Sequence, residues 1–136
     1  MDIGTIIDLV MSFPSVTMRS PYGPDTLTLE IFNKQFCLMD LSGEWNFYSL
    51  KCDPELSMIL RSKYPAIKPA YHLNKKHWSS VEFNFADVNF HKAILYHAYL
   101  QTLKCMPKKY SVSLFGTYPI FMSEYDEAFA SVLQFH

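Results

Sequence analysis

The chain has 136 residues, one domain's length and enough for a hydrophobic core without disulfides or a structural metal. Hydrophobic residues make up 49% and charged residues 18%, which excludes an intrinsically disordered chain. Lys plus Arg is 12 and Asp plus Glu is 13, a net of −1, which excludes a polycation coating nucleic acid but not a local basic face.

Ile3, Ile6, Ile7, Val10 and Met11 recur at helical spacing, so an amphipathic helix is predicted over 2–12, ended by Phe13-Pro14. Residues 15–25 read as a loop, with Pro21, Gly23 and Pro24 fixing SPYGPD as entry to the first strand. Leu27, Leu29 and Ile31 alternate with Thr28 and Glu30, a half-buried strand. A tight turn is predicted at Asn33-Lys34, because Asn tolerates positive φ. Strands follow over 35–41 and 45–51, giving an antiparallel meander.

Asp53-Pro54-Glu55 starts a second helix: Asp53 can cap, Pro54 suits the first turn, and Glu55 favours the positive dipole end. Leu56, Ile59 and Leu60 are its expected buried stripe, and Tyr64-Pro65 stops it. Residues 66–72, with two prolines, suit an edge or irregular strand. Over 78–85, Ser79, Val81, Phe83 and Phe85 form the expected core face, with Trp78, Ser80, Glu82 and Asn84 opposite. The longest helix spans 87–106, with a stripe of Leu95, Ala98, Tyr99, Thr102, Leu103 and Met106. Residues 110–122 then lead to a short helix from about 124, with Tyr125, Phe129, Val132 and Leu133 as its apolar face.

The order α-β-β-β-α-β-β-α plus a C-terminal extension defines an α+β domain, a two-layer antiparallel sheet with helices on one face. The expected division is a domain over 1–109 and an extension over 110–136 packing on it. Cys37, Cys52 and Cys105 form no CxxC, so free buried thiols in a reducing cytoplasm are expected. The N-terminus lacks a positive region and carries Asp8, so it does not read as a signal peptide. The charge-free stretch Tyr110–Ser123 is 14 residues and broken by Gly116 and Pro119, too short to span a bilayer.

The charge is unevenly placed. From Lys51 to Trp78 there are six cations (Lys51, Arg61, Lys63, Lys68, Lys75, Lys76) and two anions (Asp53, Glu55), a surplus of +4. The chain total of −1 therefore leaves −5 elsewhere. The surplus is centred on Tyr71-His72-Leu73-Asn74-Lys75-Lys76-His77-Trp78.

The same residues carry a resemblance. LKCDPELSMILRSKYPAIKPAYHLNKKHWSSV, residues 50–81, resembles the signature of the MmcQ/YjbR family of small bacterial proteins. SPYGPDTLTLEI and QFCLM upstream extend the likeness to roughly residues 1–109, while Ala70 and Asn33 stand where that family often has Gly. The segment after Pro107 has no counterpart in it. The resemblance implies a fold similar to frataxin-like and secretion-chaperone-like domains, and DNA binding through a double-wing arrangement of sheet and loops. It transfers no catalytic residue.

DNA contact needs cations for phosphates and donors or rings for bases. Lys75 and Lys76 supply adjacent cations in an expected turn, with Lys51 and Lys68 extending the patch. Asn74, His72 and His77 can donate, and Tyr71 and Trp78 can stack on unpaired bases. The residues alone leave the lysine pair open between a solvated turn and a phosphate contact, and favour a structural role for His77. With the resemblance, a non-enzymatic DNA-binding protein becomes the leading reading, its binding weak and salt-sensitive.

No metal or cofactor is expected: the sequence has no HxxxH, and His91 and His97, six apart on a helix, diverge. Cys52 follows Lys51, which can lower a thiol pKa, but a buried small residue explains it better. The alternative function is a chaperone-like module that binds a protein or small ligand on its aromatic sheet face or tail. Convergence of Tyr71, Trp78 and the lysines on one exposed face would favour DNA; a buried Trp78 and scattered lysines would favour the module.

Overall fold

The structure, a computed structural model, describes residues 2–70 and 73–115. Helix α1 (Ile3–Met11) is capped by Asp2, whose carboxylate accepts from the Thr5 backbone N–H at 2.8 Å. Strands β1 (Val16–Arg19), β2 (Thr26–Ile31), β3 (Lys34–Asp40) and β4 (Phe47–Lys51) follow. Helix α2 (Pro54–Lys63), strands β5 (Ile67–Pro69) and β6 (Trp78–Glu82), and helices α3 (Val88–Lys104) and α4 (Lys108–Phe115) complete the order. All pairings are antiparallel, and the sheet order is β1-β2-β3-β4-β6-β5.

The expected α+β architecture stands, with two added elements. β1 lies where a loop is predicted: only Val16 of its four residues is buried, so an apolar alternation is lacking. It is nevertheless held by the ladder to β2 and by Arg19, whose guanidinium donates to both Glu30 carboxylate oxygens at 2.9 Å. That pairing accounts for a glutamate with a nearly buried side chain in β2. The β2–β3 turn sits one residue earlier than predicted, with positive φ at Phe32 (48°) and Asn33 (66°) and Ile31 paired to Lys34. Two positive φ values suit the right-handed twist of a two-residue hairpin. Phe32 is an unusual occupant, and its ring lies 4.7 Å from that of Tyr110.

One face of the sheet and the helices enclose the main core. Leu27, Met39, Tyr48, Val81 and Ile67 form one register row across β2 to β5, all buried. Ile6 and Val10 of α1, Leu60 of α2 and Phe90, Ile94, Leu95 and Tyr99 of α3 pack on that face. Val81 and Phe83 point inward as expected. In α2 the inward face differs from prediction: Ser57 is buried and Ile59 is 49% exposed. The cause is the neighbouring strand, where Ser79 Oγ donates to Ser57 Oγ at 3.3 Å.

Helix α3 begins on Asp87, whose side chain accepts from the Phe90 N–H, and is buried on most of its circumference. Tyr99 donates from its hydroxyl to the Pro14 carbonyl at 2.7 Å, tying α3 to the end of α1. Helix α4 crosses the expected 109/110 division, and its Tyr110 and Leu114 pack against the core. The helix predicted from about 124 lies outside the described residues. Cys37 and Cys52 are buried and free as expected, whereas Cys105, in the turn after α3, is exposed.

Candidate nucleic-acid interface

The opposite sheet face carries Arg19, Thr28, Leu38, Ser49, Ser80 and Lys68 as one row across six strands, cations at the edges and hydroxyls inside. Beside this row, at one end of the sheet, Lys51 pairs with Trp78. The chain between β5 and β6 is clamped onto that end. Cys52 N–H donates to the His77 carbonyl at 2.7 Å, and Ala70 N–H to the Trp78 carbonyl at 3.2 Å.

The turn is built by Asn74 and Arg61. Asn74 Oδ1 accepts from Lys76 N–H at 2.9 Å, and its carbonyl accepts from His77 and Trp78. Arg61 reaches across from α2, donating to the Lys75 and Trp78 carbonyls at 2.7 Å each and to Ser79 Oγ. Lys75, Lys76 and His77 are left exposed on a turn held from beneath. Asn74, listed among the donors to DNA from sequence, has its side-chain oxygen in the turn instead.

The predicted cations therefore divide. Lys51, Lys75 and Lys76 meet at one end of the sheet. Lys68 faces Glu82 at 3.8 Å, Lys63 lies over the Tyr64 ring, and Arg61 serves the turn. Trp78 is a correction: it is 8% exposed and packs with Leu38, Ala70 and Leu73, so it offers no open ring face for a base. Hydrophobic burial of an indole outweighs its exposure at a strand start. Tyr71 and His72 lie outside the described residues.

Lys34 joins this end of the sheet. With Gln35, Lys51, Trp78, Thr102, Cys105 and Met106 it lines a cavity of about 400 Å³. Sequence reasoning omitted Lys34 because only the β3–β4 pairing and the end of α3 bring it there.

The titratable groups outside this end are structural. His91 Nδ1 meets the Tyr48 hydroxyl at 2.7 Å, and His97 Nε2 accepts from Asp53 N–H at 3.1 Å. Burial holds both imidazoles down at about 4. Burial pushes the Cys52 thiol up to about 11, the reverse of what activation by Lys51 requires. Among the described residues no three His, Cys, Asp or Glu side chains are grouped to hold a metal ion. No helix among them is long and apolar enough to cross a membrane.

An antiparallel α+β sheet with a lysine-bearing turn at one end is the class these observations define. The YjbR family model matches residues 11–101, and the chain belongs to that family. An uncharacterised protein, YbdF of Escherichia coli O157:H7, is 41% identical over 73 residues, covering 54% of this chain and 60% of that one. The uncharacterised protein YjbR of Escherichia coli K12 is 34% identical over 65 residues, 45% of this chain and 52% of that one. The chain thus spans little more than half the length of these relatives. A Deinococcus radiodurans protein with a DUF419 domain shares the fold at a TM-score of 0.63 and 26% identity, over 88% of this chain and 83% of that one. A Pseudomonas syringae protein matches at a TM-score of 0.65 and 26% identity, over 75% of this chain and 99% of that one.

Proposed function

We propose that the protein is a non-enzymatic, cytoplasmic DNA-binding protein that grips the phosphate backbone at the lysine end of its sheet. The observation that carries this reading is the pair Lys75–Lys76, exposed on a turn pinned by Arg61 and set beside Lys51. A cation on a braced turn loses less conformational freedom on binding than one on a loose loop. The double-wing description attached to the family points the same way.

Contact at this end is to phosphates and not to bases, because Trp78 is buried. Phosphate contacts position a protein without reading sequence. The reading therefore implies weak, salt-sensitive binding with little sequence preference. Fluorescence anisotropy of a labelled duplex at low and moderate salt tests it. Lys75→Glu with Lys76→Glu is expected to lower affinity by at least about tenfold. The melting temperature should not change, since both side chains are exposed. Absence of binding by the wild type at low salt, or equal affinity of the double variant, overturns the proposal.

A further inference from the structure

A second cavity, of about 470 Å³, opens on the other end of the same sheet face. Its lining is Trp45, Asn46, Phe47, Ala66, Lys68, Pro69, Ser80 and Glu82, and none of these lines the lysine-end cavity. The size lies within the range of small-molecule sites.

Its construction is specific. Asp40 fixes the preceding turn by accepting from Trp45 N–H at 3.0 Å and from Ser42. Trp45 and Phe47, two apart on one side of the chain, stack with centroids 5.1 Å apart and planes at 9°. Phe47 stands opposite Glu82 in the β4–β6 ladder, and Lys68 stands opposite Ser80 in the β5–β6 ladder. A flat aromatic wall thus meets one cation and one anion across adjoining strands.

Lys68 Nζ and Glu82 Oε1 are 3.8 Å apart, longer than the 2.7–2.9 Å of a hydrogen-bonded ion pair. Each retains hydrogen-bonding capacity toward a third group. Their charges cancel, so the cavity favours an uncharged ligand. An aromatic wall asks for a flat π-face, and a neighbouring donor and acceptor ask for a complementary acceptor and donor on one edge. We infer that this cavity binds a planar, uncharged heteroaromatic ring with a hydrogen-bonding edge, of the chemical class of a nucleobase presented as a free nucleoside. This site is independent of the phosphate contact made by Lys75 and Lys76.

The test is an amide NMR titration of the full chain with adenosine, guanosine, cytidine and uridine, each to millimolar concentration. At least one should give saturable shifts centred on residues 45–47, 66–69 and 80–82. Trp45→Ala should weaken that binding about tenfold or more, and Lys68→Ala, on an exposed edge side chain, about fivefold. The Lys75→Glu, Lys76→Glu protein should bind the nucleoside as the wild type does, so a failure of DNA binding leaves this result readable. No saturable shift with any of the four nucleosides overturns the inference, as does binding left intact in either cavity variant.

Discussion

Arg61 does at the residue scale what the local charge count obscures. It is one of six cations in the basic segment, yet its guanidinium is directed to two carbonyls and a hydroxyl. A planar fork with several donors can hold three acceptors at once; an ammonium is a single point of charge. Arg61→Lys should therefore fail to rescue what Arg61→Ala removes. Both substitutions are expected to cost about 2 kcal/mol in denaturant unfolding, the order of two charge-assisted hydrogen bonds lost. DNA affinity should fall as well, although the turn lysines are unaltered, because their turn is no longer held. Full stability in Arg61→Lys would show that the charge alone suffices. Asn74 and Trp78 carry the same lesson: each is a donor or ring by type, and each is engaged by the fold.

At the scale of an element, α3 carries the pH response. It places His91 and His97 against β4 and the start of α2, both fully buried and both held neutral to about pH 4. In the unfolded chain each titrates near its model value of 6.5. Between those limits the unfolded state binds more protons, so stability falls as pH falls and levels out below about 4. At pH 5 the loss is roughly 2 kcal/mol per histidine. The melting temperature should hold steady above pH 7 and decline from there to pH 4.5. His97→Gln keeps an acceptor for the Asp53 N–H and should remove about half of that slope. A melting temperature constant from pH 7 to 5 would refute this. The position of α3 was legible in the sequence from its apolar spacing and Asp87 start; the burial of its histidines was not, since it depends on α1, the sheet and α2 closing around it. Likewise β1 and α4 lack a strong pattern of their own. β1 exists through Arg19–Glu30 and its ladder, and α4 through contacts of Tyr110 and Leu114 with the core.

For the whole molecule, a net charge of −1 hides a polarised distribution, and the fold decides how much of that polarity reaches solvent. Sequence counting located the basic segment correctly along the chain. It could not separate Lys68, set against Glu82, from Lys75 and Lys76, nor bring in Lys34 from β3. Three of the predicted site cations, Lys51, Lys75 and Lys76, share the candidate interface. If each neutralises one phosphate, log–log affinity against salt should have a slope of about −2.7, and raising salt fourfold should weaken binding about 40-fold. In Lys75→Ala with Lys76→Ala only Lys51 remains, so the slope should fall to about −0.9 and the same salt step should cost only three- to fourfold. Alanine is the substitution to use, because glutamate adds repulsion that changes the slope for a different reason. Anisotropy titrations at four salt concentrations give both slopes. A wild-type slope near zero would mean that binding, if seen, is not electrostatic. An unchanged slope in the double alanine variant would place the phosphate contacts on other lysines. Partial loss, in step with the number of lysines removed, is the result that assigns the backbone contact to this end of the sheet.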